Sequence, residues 1–531
     1  MGSYDTQVTC LKRSQPVTEV EADVLILPAF LADTASSDDD KEKDDSAKKA
    51  NYAMYHCLSV LNDAMAGSVV EALDAECYSA NLGKTRVFKP RSGEAVKAKW
   101  VTVFGASQPT KPSVQEPRFD RLIDAYRKAI AGGFAYKEVH KIAVCLGEAS
   151  HLSPFELNQW VYAVVQAAFQ STYKAQEADA KKIHELKELL ILTPEEVDAD
   201  VVRRAVAIAK AEALTKDLAN QPANLKSVQS LVDAAKKTAE LSGVKLEVLS
   251  DLKLIEQTMP AFWAVGQATA VTDDPLQFIK LHYRHPQASA SSLKLALVGK
   301  GVIFDTGGVQ VKPDNYMNDM KFDMTGAATV LGVLNAIASL GIQNVDVTAY
   351  VAATKNLTGE TAYLPDSIIG SSKGTKIEVR HTDAEGRLTL ADAVFKATED
   401  QPDEMVTIAT LTGAAMAAVG QCTALMGTCE EHKNNVETAF KTVGELVQSL
   451  DLIEEDYENI KSDLDGADIR NTSKGKGRGH LTAGAFVMQF AGDTPIVHLD
   501  IAGGDAKDAK ATGIAVKGLV EFVLNRAAAV S

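Results

Sequence analysis

Nowhere do the 531 residues contain the roughly 18 consecutive apolar positions that a membrane-spanning helix needs. The opening Met1–Val17 is polar and has no apolar core of the secretory-signal type. The six cysteines (Cys10, Cys57, Cys77, Cys145, Cys422, Cys429) show no paired spacing, which argues against a disulfide framework and suits free thiols in a reducing compartment. Basic residues are in deficit: 55 Lys+Arg stand against 71 Asp+Glu, a net charge of −16. Nucleic-acid binders draw affinity from basic side chains that displace counterions, so no nucleic-acid partner is expected. The expectation is an acidic cytoplasmic protein with no membrane partner.

Three catalytic signatures are also missing. There is no H-E-x-x-H, since His184-Glu185 continues as Leu-Lys-Glu. Gly299-Lys300-Gly301 lacks the Ser/Thr that would complete a Walker A loop. Gly370-Ser371-Ser372-Lys373-Gly374 matches G-x-S-x-G in letters only. Ile368-Ile369 before it and Lys376–Val379 after it predict a hairpin turn, whereas a nucleophile elbow needs strand, turn and helix.

What is present is 46% apolar residues in a chain long enough for two to four domains at roughly 100–200 residues each. Such a core needs no disulfide or structural metal merely to fold. In the first half, the short apolar runs Asp23–Pro28, Trp100–Gly105 and Lys141–Gly147 read as buried strands. Arg118–Ala131 and Pro154–Tyr173 carry apolar residues at helical spacing. Asp33–Lys49, with seven acids and four lysines, buries too little to offset its ordering entropy and reads as a solvated acidic loop. Pro194-Glu195-Glu196 suits a helix N-terminus, and Asn220-Gln221-Pro222 a stop, so a connecting helix is placed between them.

The second half predicts strands at Leu276–Tyr283, Leu293–Val298, Val345–Ala352, Met405–Ala409 and Ile496–Ile501. Helices are predicted at Thr325–Leu340, Leu390–Glu399 and Val436–Leu450. Strands alternating with helices give an α/β fold in two domains. The expected division is an N-terminal domain over 1–194, a linker helix over 195–219 and a larger domain over 220–531.

The chemistry concentrates in two Gly-rich segments. Val298–Met324 places Lys300, Asp305, Lys312 and Asp323 around Gly301, Gly307 and Gly308. Charges at a buried strand end are costly unless they pair or meet a metal. His381-Thr382-Asp383-Ala384-Glu385-Gly386-Arg387 holds two carboxylates two residues apart, which extended backbone would aim to one side. Asp305, Asp323, Asp383 and Glu385 could therefore build an oxygen-rich site for one or two divalent cations, or simply pair with the lysines at surface turns.

Both segments closely resemble the signature motifs of the leucyl aminopeptidase family, the second with His381 where the family carries Asn. Asn220–Asn224, Ala409–Ala414 and His498–Gly503 also resemble family segments, so the likeness spans about residues 220–528. The resemblance implies a smaller N-terminal domain like a macro domain and a larger catalytic domain whose mixed central sheet is flanked by helices. It implies a metalloexopeptidase hydrolysing short peptides at a free N-terminus through a metal-bridging hydroxide, with leucine-type preference. One tight metal would be held by Lys300, Asp305, Asp323 and Glu385. An exchangeable one would be held by Asp305, Asp383 and Glu385. Zn²⁺ is implied at the first, and Mn²⁺, Mg²⁺, Co²⁺ or Zn²⁺ at the second.

Lys312 would stabilise the oxyanion, and Arg387 would anchor a bicarbonate serving as base. Met320, Thr410, Leu411, Gly413 and Ala502 would form the pocket for the first side chain, with Asp505 at a position apolar in the family. The family's homohexamer, a dimer of trimers, is implied as well. Two rivals are a non-catalytic binding protein on the same scaffold and a dinuclear phosphoesterase. The full ligand set opposes the first, and the lack of histidine in the cluster opposes the second.

Overall fold

The computed structural model describes residues 6–530 apart from 15, 31–55, 77, 79, 107–117, 136–137, 148–154, 175–185, 289–291 and 476. The acidic loop predicted at Asp33–Lys49 therefore lies outside the described residues, as does Cys77. The chain forms two compact units, residues 2–209 and 210–531. It passes from one to the other within the helix Ala199–Asn220.

The first unit is built on a six-stranded sheet in the order Gln7–Lys12, Glu188–Thr193, Lys141–Cys145, Val24–Ala29, Trp100–Gly105, Thr85–Phe88. All neighbours run parallel except the last pair. Val24–Ala29 is buried along its whole length, as expected of a central strand covered on both faces. The helices Phe119–Gly133 and Leu157–Thr172 supply Tyr126 and Trp160, whose rings meet edge to face 5.9 Å apart in the core. Glu156 and Gln159 close a capping box at the start of the second helix.

The second unit holds an eight-stranded mixed sheet. Its order is Val447–Ser449, Thr423–Gly427, Ile496–Asp500, Glu404–Ala409, Leu293–Asp305, Val345–Asn356, Gln277–Arg284, Val244–Leu249. The four central strands, from Ile496–Asp500 to Val345–Asn356, are parallel. The helix Thr325–Leu340 is apolar all round because it is buried all round, and Gly341, at φ 62°, ends it.

Four elements differ from the sequence reading, the first being the connecting helix, which starts at Ala199 and not at Pro194–Glu196. The strand predicted at Leu293–Val298 runs on to Asp305, held by parallel pairing that extends to Asn356. On its other side the pairing stops at Gly299, so from Lys300 onward that edge is free to build a site. The helix predicted at Leu390–Glu399 starts earlier, at Gly386, directly after Glu385. The helix predicted at Val436–Leu450 is instead Glu430–Thr442, followed by the edge strand Val447–Ser449. Gly444, at φ 67°, breaks the apolar run between them.

Candidate metal centre

The charged residues converge where the central parallel strands end, at the carboxyl edge where open α/β sheets place their ligands. Lys300 projects from within Leu293–Asp305, and Asp305 is that strand's last residue. Asp323 follows a short 3₁₀ turn, Met320–Phe322, and leads into the helix Thr325–Leu340. Glu385 is the N-cap residue of the helix Gly386–Thr398. The extended backbone expected at Asp383–Glu385 is not what brings the two carboxylates together. Asp383 lies in a turn and Glu385 is already helical, at φ −77° and ψ −38°, so the pair converges as the chain enters the helix.

Gly307, at φ 91°, makes the turn after Asp305, and its amide donates to Asp305 Oδ1 at 2.8 Å. A Cβ there would lie 2.5 Å from Gln310 O and 3.2 Å from Asp383 Oδ1, so no larger residue fits between the two segments.

Two lysines thread four carboxylates. Lys300 Nζ is 2.6 Å from Asp323 Oδ1, 2.9 Å from Glu385 Oε1 and 2.9 Å from the Thr410 carbonyl. Lys312 Nζ is 2.8 Å from Asp305 Oδ2 and 2.5 Å from Asp383 Oδ1. Lys300, Asp305, Asp323 and Glu385 are all buried. Burial alone would depress both lysines, but the surrounding carboxylates outweigh it and hold each ammonium above its ordinary range. Burial, then the neighbouring charges, push Asp323, Asp383 and Glu385 up.

The donor set fits divalent cations. Asp305, Asp383 and Glu385 each offer an oxygen within 4.8 Å of the others. Asp323 Oδ2 is buried without a hydrogen-bond partner among the described residues. Four carboxylates exceed two ammoniums, so the buried cluster keeps negative charge that a hard cation would neutralise.

Several positioning residues carried no signal in the spacing. Asn356 Nδ2 donates to Asp305 Oδ1 at 2.8 Å and to the Thr382 carbonyl at 3.0 Å, tying the two motifs together. Tyr363 donates to the same carbonyl at 2.7 Å. Thr382 Oγ1 donates to the Gly307 carbonyl and accepts from the Gln310 amide. His381, where the family carries Asn, accepts the Asp383 amide on Nδ1 at 3.1 Å. A neutral imidazole is required for that, and burial followed by the Lys312 charge lowers its pKa accordingly. Asn471 secures the segment from outside, accepting from the Arg380 amide and donating to the His381 carbonyl.

Of the predicted pocket residues, Thr410 touches this cluster. Thr410 is buried, and its hydroxyl donates to Asp323 Oδ1 at 2.8 Å. Met320, Leu411 and Ala502 are half-buried, and Gly413 is exposed at the start of the helix Gly413–Val419. Asp500 accepts from the Leu411 and Ala502 amides and from the Thr412 hydroxyl, fixing both loops. Asp505 feels both Asp500 and Lys300, and burial pushes its carboxyl up to about 7. Arg387 is buried with Nε lacking a hydrogen-bond partner among the described residues. Burial lowers its pKa to about 10, against the opposing pull of Glu385 and Asp500. The predicted hairpin is present as Ile368–Ile369 against Ile377–Glu378, and Ser372 in its turn donates to the Thr258 carbonyl.

Comparison with known proteins finds relatives over most of the chain. Residues 213–520 match the model for the cytosol aminopeptidase family, catalytic domain. A probable cytosol aminopeptidase of Syntrophotalea carbinolica is 34% identical over 473 residues, covering 87% of this chain and 90% of the relative. One from Aquifex aeolicus is 38% identical over 334 residues, covering 62% of this chain and 65% of the relative. The structure of a lysine-to-glutamate mutant of tomato leucine aminopeptidase superposes with a TM-score of 0.83 at 28% identity, covering 99% of this chain and 98% of that one.

Proposed function

The chain belongs to the cytosol aminopeptidase family, and on that premise we propose how its residues release the first amino acid of a peptide. The activity itself is that of a metal-dependent aminopeptidase, a hydrolase. The observation that carries the assignment of residues is the meeting of Asp305, Asp383 and Glu385 within 4.8 Å beside Lys300 and Asp323.

Asp305, Asp323, Glu385 and a neutral Lys300 hold one divalent ion, with Zn²⁺ the proposed occupant. Asp305, Asp383 and Glu385 hold a second, exchangeable one, drawn from Mn²⁺, Mg²⁺, Co²⁺ or Zn²⁺. When bound, such ions polarise the scissile carbonyl and lower the pKa of a water, and a bicarbonate beside them can take up its proton. With cations bound, Lys300 would coordinate as the neutral amine, since their positive charge would add to burial in lowering its pKa. Lys312 keeps its proton and faces the oxygen on which negative charge develops. The buried Arg387 fork suits a planar anion of bicarbonate size, and its free Nε is a donor in want of an acceptor.

Asp323, braced by Thr410, orients the substrate's free α-amine, which restricts cleavage to N-termini. Met320, Thr410, Leu411, Gly413 and Ala502 receive the first side chain. Asp505 tempers a simple leucine preference, since a carboxyl at that wall favours side chains that bond or balance it. Short peptides in the cytoplasm are the proposed substrates and a homohexamer, a dimer of trimers, the proposed assembly.

The test is hydrolysis of Leu, Ala, Met, Arg and Asp amides beside their N-acetylated forms, before and after chelation. Release from free amines only, abolished by chelation and restored by Zn²⁺ or Mn²⁺, supports the reading. Cleavage of the acetylated amides, or full activity after chelation, contradicts it.

A further inference from the structure

The eight-stranded sheet carries a second concave site at the opposite end of its long strand. A cavity of about 370 Å³ lies over Val244–Leu249, Gln277–Arg284 and the first residues of Leu293–Asp305 and Val345–Asn356. Lys294 lines it, six residues before Lys300, which at about 3.3 Å per residue puts some 20 Å between the two sites.

Sheet faces in α/β folds are ordinarily apolar because helices cover them. Here alternate residues turn charged side chains to the cavity: Lys245 and Glu247, Lys280 and His282, Lys294, and Asp346. The intervening Leu281 and Val347 face the core and are buried, while Leu295 and Ala296 add an apolar patch to the cavity lining. The strand register sets these groups in rows, with Arg284 beside Asp346 beside Lys294, and Lys245 beside His282 beside Thr348.

Some of this charge is balanced internally. Lys280 pairs with Asp400 at 2.8 Å, Tyr350 donates to the same carboxylate, and Arg284 pairs with Asp346 Oδ2 at 2.6 Å. His282 Nδ1 shares a hydrogen bond with Thr348 Oγ1 at 2.9 Å. What is left over has both signs. Lys245, Lys294 and Glu247 are exposed and form no ion pair among the described residues, and among those residues the second oxygen of the buried Asp346, Oδ1, has no hydrogen-bond partner. A simple anion would satisfy the two ammoniums and leave Glu247 and Asp346 Oδ1 without a donor. A simple cation would do the reverse.

We propose that this cavity binds a free amino acid or similarly small zwitterion, its carboxylate between Lys245 and Lys294 and its ammonium toward Glu247 and Asp346. The site does not depend on the catalytic reading, since none of these residues belongs to the metal cluster. The helix Gly386–Thr398 links the two regions: Glu385 precedes it at Lys300, and Asp400, two residues past its end, pairs with Lys280 in the cavity.

Equilibrium dialysis of the full-length, metal-loaded enzyme against labelled L-glutamate, L-leucine, succinate and inorganic phosphate tests this. A double variant, Lys245→Ala with Lys294→Ala, and the single variant Glu247→Gln are run beside the wild type, with amide hydrolysis and sedimentation followed on each. The proposal predicts that an amino acid binds more tightly than succinate and phosphate. It predicts affinity about tenfold or more weaker in the double variant, with hydrolysis and sedimentation unchanged. Four outcomes overturn it: no binding by the wild type, succinate or phosphate binding as well as either amino acid, undiminished binding in the double variant, or variants that change the assembly state. The third would place the ligand at the catalytic centre, and the last would make the lysines subunit contacts.

Discussion

Gly386 lies directly against Lys300: a Cβ on this glycine would sit 2.5 Å from Lys300 Cε and 2.8 Å from Nζ. The helix that brings Glu385 into the cluster therefore sets its first residue, which has no side chain, against the end of the Lys300 side chain. Gly386→Ala should push Lys300 off Asp323 and Glu385 and cost about 1–3 kcal/mol by overpacking. Thermal denaturation should show the loss of stability, and kcat/KM should fall by more than about tenfold through the displaced ligands. Wild-type activity in this variant would show that the Lys300 position is not critical.

Lys312 bridges Asp305 and Asp383 without being buried as deeply as Lys300. If it stabilises developing negative charge, Lys312→Met should lower kcat by roughly 10²–10³-fold, the cost of losing one oxyanion donor. Metal content should stay at the wild-type level. Loss of metal in step with activity would instead assign Lys312 a role in assembling the ligands.

Asn356 holds Asp305 and the Thr382 carbonyl with one amide group. Asn356→Leu keeps the volume but leaves the Thr382 carbonyl to Tyr363 alone and removes the side-chain donor that orients Asp305. Activity should drop about 10–100-fold, the usual effect of losing an outer partner of a metal ligand. Metal titration should show weaker binding by a similar factor. An unchanged metal affinity would detach Asn356 from the ligand set.

Asp392 is fully buried and accepts from the Ala261, Phe262 and Ser372 amides. Burial outweighs these bonds and pushes its carboxyl up to about 6 from 3.8. Between those pH values the folded state binds more protons than the unfolded state, so this group makes stability fall as pH rises through the window. Asp392→Asn mimics the protonated form and should gain on the wild type by at most about 3 kcal/mol between pH 4 and 7. Denaturant melts at the two pH values measure it, and a pH-independent difference would contradict the assignment.

The buried charged cluster was legible because Lys300, Asp305 and Asp323 stand in one Gly-rich segment, Asp383 and Glu385 in another, and both resemble family motifs. The α/β class was legible from alternating periodicities, as was the helix Thr325–Leu340. The positioning residues were not. Asn356 lies 51 residues from Asp305, Asn471 lies 90 from His381 and Asp392 lies 131 from Ala261, so only the folded sheet and hairpin bring them together. Apolar spacing likewise could not show that the chain after Thr442 leaves the helix to join a sheet edge, because a short apolar run serves either element. The charged cavity was hidden for a related reason: Lys245, Lys280 and Lys294 sit on different strands, and each alone reads as a solvated lysine.

The central claim is that Asp305, Asp323, Asp383, Glu385 and Lys300 hold two ions, both needed for cleavage. The most direct measurement is metal stoichiometry, followed beside leucine-amide hydrolysis, as chelated enzyme is titrated with Zn²⁺ and then Mn²⁺, in the wild type and in Asp383→Ala. Two equivalents per chain are expected in the wild type, with activity following the second. One tight equivalent and no activity are expected in the variant. Full activity at one equivalent, or an Asp383→Ala enzyme that binds two ions and turns over, would contradict the claim.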